Sequence, residues 1–408
     1  MGRTKMKGPY QAIPVTDKVY WVGALDWTLR EFHGYATPRG STYNAYLVMA
    51  DEIALMDTVK AGFEDQLLSR VGSVVDPQSI RYVISHHSEM DHSGALPQVV
   101  EAVKPEKVIA SSKGVPTLQA HFHADWNMQP VKDGESLSLG NMTLRFLESP
   151  MLHWPESMCS YLVEQEVLFS QDAFGVHLCS QDRFADQIEE ALLRREEATY
   201  FANIILPYAP LVTKFLEKVR AAGVAPKIIA PDHGPVWRKD LQTVVRWYAE
   251  WAEQRPTKRA VVVYDTMWQS TAKMARAIVE GLAAGGAAPV LVCLGASPRS
   301  EAVTEVLEAG ALLVGSPTMN NEIFPTVADF LTYLKGLKPR NLIGAAFGSY
   351  GWGGQAVRHL MQALTDMGVE TIGEGLQTKF VPDEKALEEC HSLGLLVAEK
   401  LMQRVGAP

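Results

Sequence analysis

Cysteine is scarce. Cys159, Cys179, Cys293 and Cys390 are the only four in 408 residues, and no two form a C-x-x-C pair. That scatter excludes a thiolate zinc or iron ribbon, and a chain this large has little need of disulfides, so four buried free thiols in a reducing cytoplasm are expected. Positive charge is also short, with 38 Lys and Arg against 47 Asp and Glu and a net charge of −9. Phosphate-binding surfaces need concentrated cations, so nucleic acid is not an expected partner. No apolar run approaches a membrane span, and no apolar segment follows the basic start "MGRTKMKGPYQAIPV", so neither a membrane anchor nor a signal peptide is expected. Low-complexity tracts and internal repeats are absent as well. What remains is an ordinary globular composition, 47% hydrophobic and 21% charged, at a length that suits two domains.

Histidine divides the chain. Nine of the eleven lie before residue 240, and only His359 and His391 lie after it. A polar, proline-bearing stretch, Glu253–Arg259, separates a Trp-rich helical pattern from the β-branched "AVVVYD", as an interdomain linker does. Domains are therefore expected at 1–254 and 255–408. In the first, short strands such as "TYNAYLVM", "EIALMDT", "RYVISHH", "MTLRFLES" and "KIIAPDH" alternate with helical "PQVVEAVK" and "PLVTKFLEKVRAAG", which predicts an α/β sandwich. In the second, "AVVVYD", "PVLVCLG", "ALLVGSP", "LIGAAFGSYG" and "ETIGEGL" are separated by helices, which predicts a doubly wound parallel sheet with its ligand beyond the strands' carboxyl ends.

The segment "ISHHSEMDHSG" holds three histidines and two carboxylates between His86 and His92. In a loop leaving a strand, His87-x-Glu89-x-Asp91-His92 lets alternate side chains converge, while adjacent Asp91 and His92 can turn to a second point. His153 in "MLHWP", Asp172 in "FSQDAF" and His233 in "APDHGP" sit where other apolar runs break into turns, the usual place for site residues on a rigid scaffold. Alone, His153 or Asp172 would read as a capped turn or surface group; together the seven are enough for two metals. His86 points the other way on an extended backbone and is left out. His121 and His123 in "QAHFHADW" read as structural. His177 in "FGVH" stands open between supporting a ligand and a structural role.

The spacing resembles the H-x-H-x-D-H signature of the metallo-β-lactamase superfamily, with glutamate in the second histidine's place. H-x-E-x-D-H resembles the flavodiiron proteins, or A-type flavoproteins, which join a metallo-β-lactamase-like αββα sandwich to a flavodoxin-like doubly wound sheet, so the likeness spans the whole chain. Imidazole and carboxylate without thiolate also favour iron over zinc. The resemblance implies one iron at His87, Glu89 and His153, a second at Asp91, His92 and His233, and Asp172 bridging. Two-metal sites hold their ions about 3.5–4 Å apart, a span suited to a diatomic ligand.

"TMWQST" follows the first strand of the second domain and opens a helix. Its hydroxyls and backbone N–H groups form an anion cradle, although it matches neither Walker A nor G-x-G-x-x-G. It resembles the phosphate loop of flavodoxins, with Thr266, Met267, Trp268, Gln269, Ser270 and Thr271 at the FMN phosphate. "GSPTMNNEIFP" and "FGSYGWGG" fall on the same sheet edge, and aromatics between glycines offer flat faces to a ring. The resemblance places Pro317, Thr318, Asn320, Ser349, Tyr350, Gly351, Trp352 and Gly353 around the flavin.

The implied protein is a rubredoxin:oxygen or nitric oxide oxidoreductase that reduces O2 to water, NO to N2O, or both, with electrons passing through FMN. The resemblance further implies a cytoplasmic head-to-tail homodimer, or a dimer of such dimers, with rubredoxin or a similar small donor. The ending "LMQRVGAP" lacks C-x-x-C, as expected of the minimal two-domain form. The alternatives are a zinc hydrolase of the metallo-β-lactamase superfamily, which Glu89 and a flavodoxin domain argue against, and a flavin electron carrier with an inactive docking domain.

Overall fold

Side-chain alternation with a period of two organises the first half of the chain in a computed structural model that describes residues 8–406. Tyr46 and Val48, Ala54 and Met56, and Tyr82 and Ile84 enter one buried cluster. Leu47, Leu55 and Val83, one position out of step, enter another. Each of these strands therefore has core on both faces.

Seven strands, Ile13–Pro14, Val19–Trp21, Tyr46–Val48, Ile53–Met56, Ile80–Ile84, Lys107–Ser111 and Met128–Val131, lie in that spatial order. The first four pair antiparallel and the rest parallel. A second sheet runs Ser136–Ser138, Thr143–Glu148, Met158–Leu162, Val167–Gln171 and Ile228–Pro231, antiparallel except at its last pair. Its inward residues Leu144, Phe146, Leu162 and Phe169 complete the cluster between the sheets. Helices Glu64–Val74, Leu96–Val103 and Gly114–Phe122 pack Leu67, Val71, Leu96, Val99 and Leu118 on the outer face of the first sheet. On the second sheet, Lys218 in helix Ala209–Ala221 donates to the Glu148 carbonyl at 2.6 Å. The layers are those of an αββα sandwich.

The later strands form a parallel sheet in the order Ala288–Cys293, Arg259–Tyr264, Ala311–Gly315, Ile343–Tyr350, with Glu370–Thr371 and Leu376–Lys379 both pairing to Ile343–Tyr350. In sequence order this is 2-1-3-4-5, the flavodoxin-like doubly wound sheet. Helices Ser270–Ala284 and Glu384–Gly406 cover one face. Their close crossing requires glycine, because a Cβ on Gly281 would sit 2.0 Å from the His391 carbonyl oxygen and one on Gly394 2.2 Å from that of Ile278.

The chain divides into two compact units. One comprises residues up to Phe32, Thr37–Tyr200 and Pro210–Ala249; the other comprises His33–Ala36, Phe201–Ala209 and the chain from Glu250 onward. Cys293 is half-buried where the sequence led us to expect four buried thiols, because its strand lies at the edge of the sheet; all four cysteines are free. Among the described residues no helix is long and apolar enough to cross a membrane. The basic start, residues 1–7, and the last two residues of "LMQRVGAP" lie outside the described residues.

Candidate functional site

The strands of the sandwich end at one edge. Ile80–Ile84 runs out into Ser85–Glu89, and Met90–Ser93 then forms one helical turn where the sequence reads as open loop. That turn sets Asp91 and His92 at adjacent helical positions behind the extended His87 and Glu89. Val167–Gln171 delivers Asp172, and Ile228–Pro231 delivers Asp232 and His233. Gln171 and Phe174, on either side of Asp172, hold left-handed φ values of 49° and 65°, a conformation that non-glycine residues keep only where the surroundings enforce it.

The candidate ligands fall into two groups, His87, Glu89, His153 and Asp172, and Asp91, His92 and His233; within each, the donor atoms lie within 4.8 Å of one another. Asp172 joins them. Its Oδ2 faces His87 Nε2 at 3.0 Å and His153 Nε2 at 3.1 Å, while its Oδ1 faces His92 Nε2 at 3.3 Å and His233 Nε2 at 3.6 Å. Glu89 Oε2 lies 2.9 Å from His153 Nε2, and Asp91 Oδ2 lies 3.2 Å from His233 Nε2. His153 alone is more than marginally exposed, at 11% of its side chain.

Burial opposes charge on His87, but the surrounding carboxylates, Asp172 foremost, outweigh it and raise its pKa well above the ordinary value. His153 rises to about 9 because Asp172 and Glu89 outweigh its burial. Asp172 is held well below the usual carboxylate range because its imidazole neighbours, led by His87, overcome its burial.

The groups do not simply pair off. Both ring nitrogens of His87 and all four carboxylate oxygens of Asp91 and Asp172 are buried without hydrogen-bond geometry to any described residue, despite contacts near 3 Å. Buried polar atoms left unpaired within 4.8 Å of one another call for a shared partner, as a metal-ligand set does. Imidazole and carboxylate without thiolate, with glutamate in place of a third imidazole in the 87–92 segment, is a donor set that suits iron, so the residues fit a pair of iron ions.

Sequence reasoning missed the support beneath. Asp57, at the end of strand Ile53–Met56, accepts from His86 N at 2.8 Å and pairs through its other oxygen with His86 Nδ1. His86 Nε2 in turn meets Ser160 Oγ at 2.8 Å, so this histidine is occupied away from the centre. His233 Nδ1 meets the Thr42 carbonyl at 2.6 Å, which leaves Nε2 for the centre. His177 Nδ1 meets Ser41 Oγ at 2.6 Å and its ring lies 4.3 Å from that of His233; burial and His233 push its pKa well down. It packs behind a candidate ligand. Asp57 ends an apolar run and Asp232 adjoins His233, and these were the available signals. His121 is exposed at the end of its helix, and His123 follows in a left-handed cap.

In the other unit a cleft of about 340 Å³ opens at the carboxyl ends of the parallel strands. Met267, Trp268, Ser270, Pro317, Thr318, Asn320, Ser349, Tyr350, Gly351, Trp352 and Gly353 line it, joined by Asn321, Phe380 and Val381, which sequence reasoning missed. Asn320 and Asn321 both hold positive φ in a two-residue hairpin turn, and Phe380 N donates to the Tyr350 carbonyl at 2.7 Å. Gln269 precedes the helix in a left-handed conformation. Thr271 lies behind the wall, its hydroxyl 2.9 Å from that of Ser349, and the buried Thr266 hydroxyl has no partner among the described residues. Trp268 and Trp352 stand 87% and 94% exposed beside the opening. A hydroxyl-lined helix start next to flat, accessible aromatic faces fits a phosphate joined to a planar ring.

Family models match both halves: an ODP family beta lactamase over residues 42–234 and a flavodoxin over residues 262–394. The chain is 44% identical to a nitric oxide reductase of Moorella thermoacetica, covering 96% of this chain and 99% of that one. It is 45% identical to a rubredoxin-oxygen oxidoreductase of Megalodesulfovibrio gigas, covering 97% and 100%. Among solved structures, the rubredoxin oxygen:oxidoreductase from Desulfovibrio gigas superposes with a TM-score of 0.96 at 44% identity, covering 97% of this chain and 100% of that one. The flavodiiron protein from Giardia intestinalis superposes at 0.95 and 31% identity, covering 98% and 100%. With both domains matched and likeness of this extent along the whole chain, this protein is a member of the flavodiiron family.

Proposed function

We propose that this chain is an oxidoreductase that reduces dioxygen to water, nitric oxide to N2O, or both, at a two-iron centre supplied through FMN. The observation that carries the reading is the Asp172 carboxylate, which presents one oxygen to each of two imidazole–carboxylate groups. His87, Glu89 and His153 would hold one iron, Asp91, His92 and His233 the other, and Asp172 would bridge. When bound, the irons supply adjacent redox-active cations and FMN an electron store that exchanges one or two equivalents.

The protein contributes placement. Asp172 ties the two halves together, and the Thr42 carbonyl decides which nitrogen of His233 faces the centre. Burial of Asp91, His92, Asp172 and His233 keeps bulk water away and strengthens each charge contact. In the second unit, Thr266, Met267, Trp268, Gln269, Ser270 and Thr271 would cradle the FMN phosphate, with Pro317, Thr318, Asn320, Ser349, Tyr350, Gly351, Trp352 and Gly353 around the ring. The relatives' names support both gases as substrates and a rubredoxin-type donor. A cytoplasmic head-to-tail homodimer, alone or doubled, would bring one subunit's flavin to its partner's irons.

The test is anaerobic loading with Fe(II) and FMN, reduction by a rubredoxin system, and consumption of O2 and NO measured side by side. At least one gas is consumed catalytically, and Asp172→Ala lowers that turnover by more than about 100-fold, beyond what loss of a residue supporting a ligand costs. A colourless protein that carries zinc and no iron overturns the reading in favour of a hydrolase.

A further inference from the structure

Beneath the candidate centre, on the side away from Asp172, lies a second carboxylate to which neither the sequence nor the proposed chemistry gives a task. Asp232 is 1% exposed, and neither of its carboxylate oxygens has a hydrogen-bond partner among the described residues. An orphaned buried carboxylate is costly and calls for a reason.

His87 and His92 supply one. Their rings lie 4.8 Å apart at 40°. Both turn Nε2 toward Asp172, at 3.0 and 3.3 Å, and both turn Nδ1 toward the same oxygen of Asp232, at 3.8 Å each. Neither Nδ1 has a hydrogen-bond partner among the described residues. The two imidazoles thus stand between two carboxylates, one at each ring edge. In the proposed assignment they belong to different irons.

We propose that Asp232 is a shared positioning residue, whose single carboxylate orients one histidine ligand of each iron by facing both Nδ1–H groups. This rests on the iron assignment made above. A ligating imidazole works best when its remote N–H meets an acceptor, which fixes the tautomer and strengthens the ring as a donor. Ordinarily each histidine has its own acceptor. One carboxylate serving two rings makes the irons' environments interdependent, because whatever draws Asp232 toward His87 draws it from His92. The backbone holds it midway: Asp232 N donates to the Gln171 carbonyl at 2.9 Å and the Asp232 carbonyl accepts from Asn44 N at 2.7 Å. Through Gln171 it is tied to the strand end that delivers Asp172.

The test compares full-length wild type with Asp232→Asn, isosteric but uncharged, after anaerobic Fe(II) loading. Competition with a graded chelator reads affinity, Mössbauer spectra read the two iron environments, and flavin content and the metal-free thermal midpoint report folding. The expected result is affinity about 10- to 100-fold weaker at both positions and both Mössbauer doublets shifted, a magnitude ordinary for the partner of a ligating histidine. Flavin content stays at the wild-type value, the metal-free midpoint does not fall, because removing an unpaired buried charge costs the apo-protein nothing, and Asp232→Glu recovers part of the affinity. Wild-type iron binding in the Asn variant, a defect at one position only, or a lowered metal-free midpoint overturns the shared role while leaving the two-iron reading in place. Wild-type protein that takes up no iron removes that reading and this inference with it.

Discussion

On the proposed assignment, Glu89 would carry the distinction between an iron and a zinc centre, because it is a carboxylate where the resembling hydrolases place an imidazole. Glu89→His should therefore raise the zinc-to-iron ratio of protein purified from a medium containing both, read by elemental analysis; an unchanged ratio would show that selectivity resides elsewhere. Residue-level electrostatics also mark Glu197, which is fully buried on helix Glu190–Tyr200 and whose pKa is pushed well above the usual carboxyl value by burial, with Tyr248 only partly offsetting it. A carboxyl protonated in the folded state costs nothing below its unfolded pKa, near 4.5. Stability declines as pH rises above that value, because only the unfolded chain can ionise freely. Glu197→Gln should accordingly be more stable than wild type at pH 8, and close to it near pH 4, because the amide has no charge to lose on unfolding. Denaturant midpoints at the two pH values check this. Of these residues, Glu89 was legible because it lies inside a dense motif. Asp57 and Asp232 were not, since the histidines that face them, His86 for the one and His87 and His92 for the other, come from a different strand end.

The helix pair Ser270–Ala284 and Glu384–Gly406 shows how one element depends on a residue type in another. The first helix follows its strand directly, whereas the second comes about a hundred residues later and reaches the same face through the glycine contacts at 281 and 394. Gly394→Val should destabilise the second unit by roughly 1–3 kcal/mol, the usual cost of overpacking, seen as a lower denaturant midpoint for flavin release. An unchanged midpoint would mean that the helices slide apart freely. Both helices were legible from their periodicity, and their crossing was not. Likewise the antiparallel strands Met158–Leu162 and Val167–Gln171 follow one another closely, with Glu166 at φ 53° in the turn between them. No glycine marks that reversal, so local turn chemistry could not announce it.

For the molecule as a whole, the second unit reaches back along the chain. Glu250 onward belongs to it: Trp251 Nε1 donates to Glu308 Oε1 at 2.9 Å, Arg340 N to Gln254 Oε1 at 2.9 Å, and Asn341 Nδ2 to the Gln254 carbonyl at 3.0 Å. A fragment of residues 250–408 should therefore melt several degrees above one of residues 255–408, which forgoes these bonds; coincident melting curves would make the five residues dispensable. His33–Ala36 and Phe201–Ala209 also join this unit, through contacts such as Tyr333 Oη donating to Asn203 Oδ1 at 3.0 Å. Nothing local distinguishes those segments. The sequence by itself determined which layers form, because the period of apolar side chains states which faces must be buried. It also determined the donor types on offer at the candidate centre, because donor chemistry is a property of residues and not of their arrangement. Only the tertiary structure decided that one carboxylate, Asp172, faces four imidazoles from above while another, Asp232, faces two from below. Distances between residues as far apart as His87 and Asp232 are set by how separate strand ends meet at one edge, and no local pattern encodes that meeting.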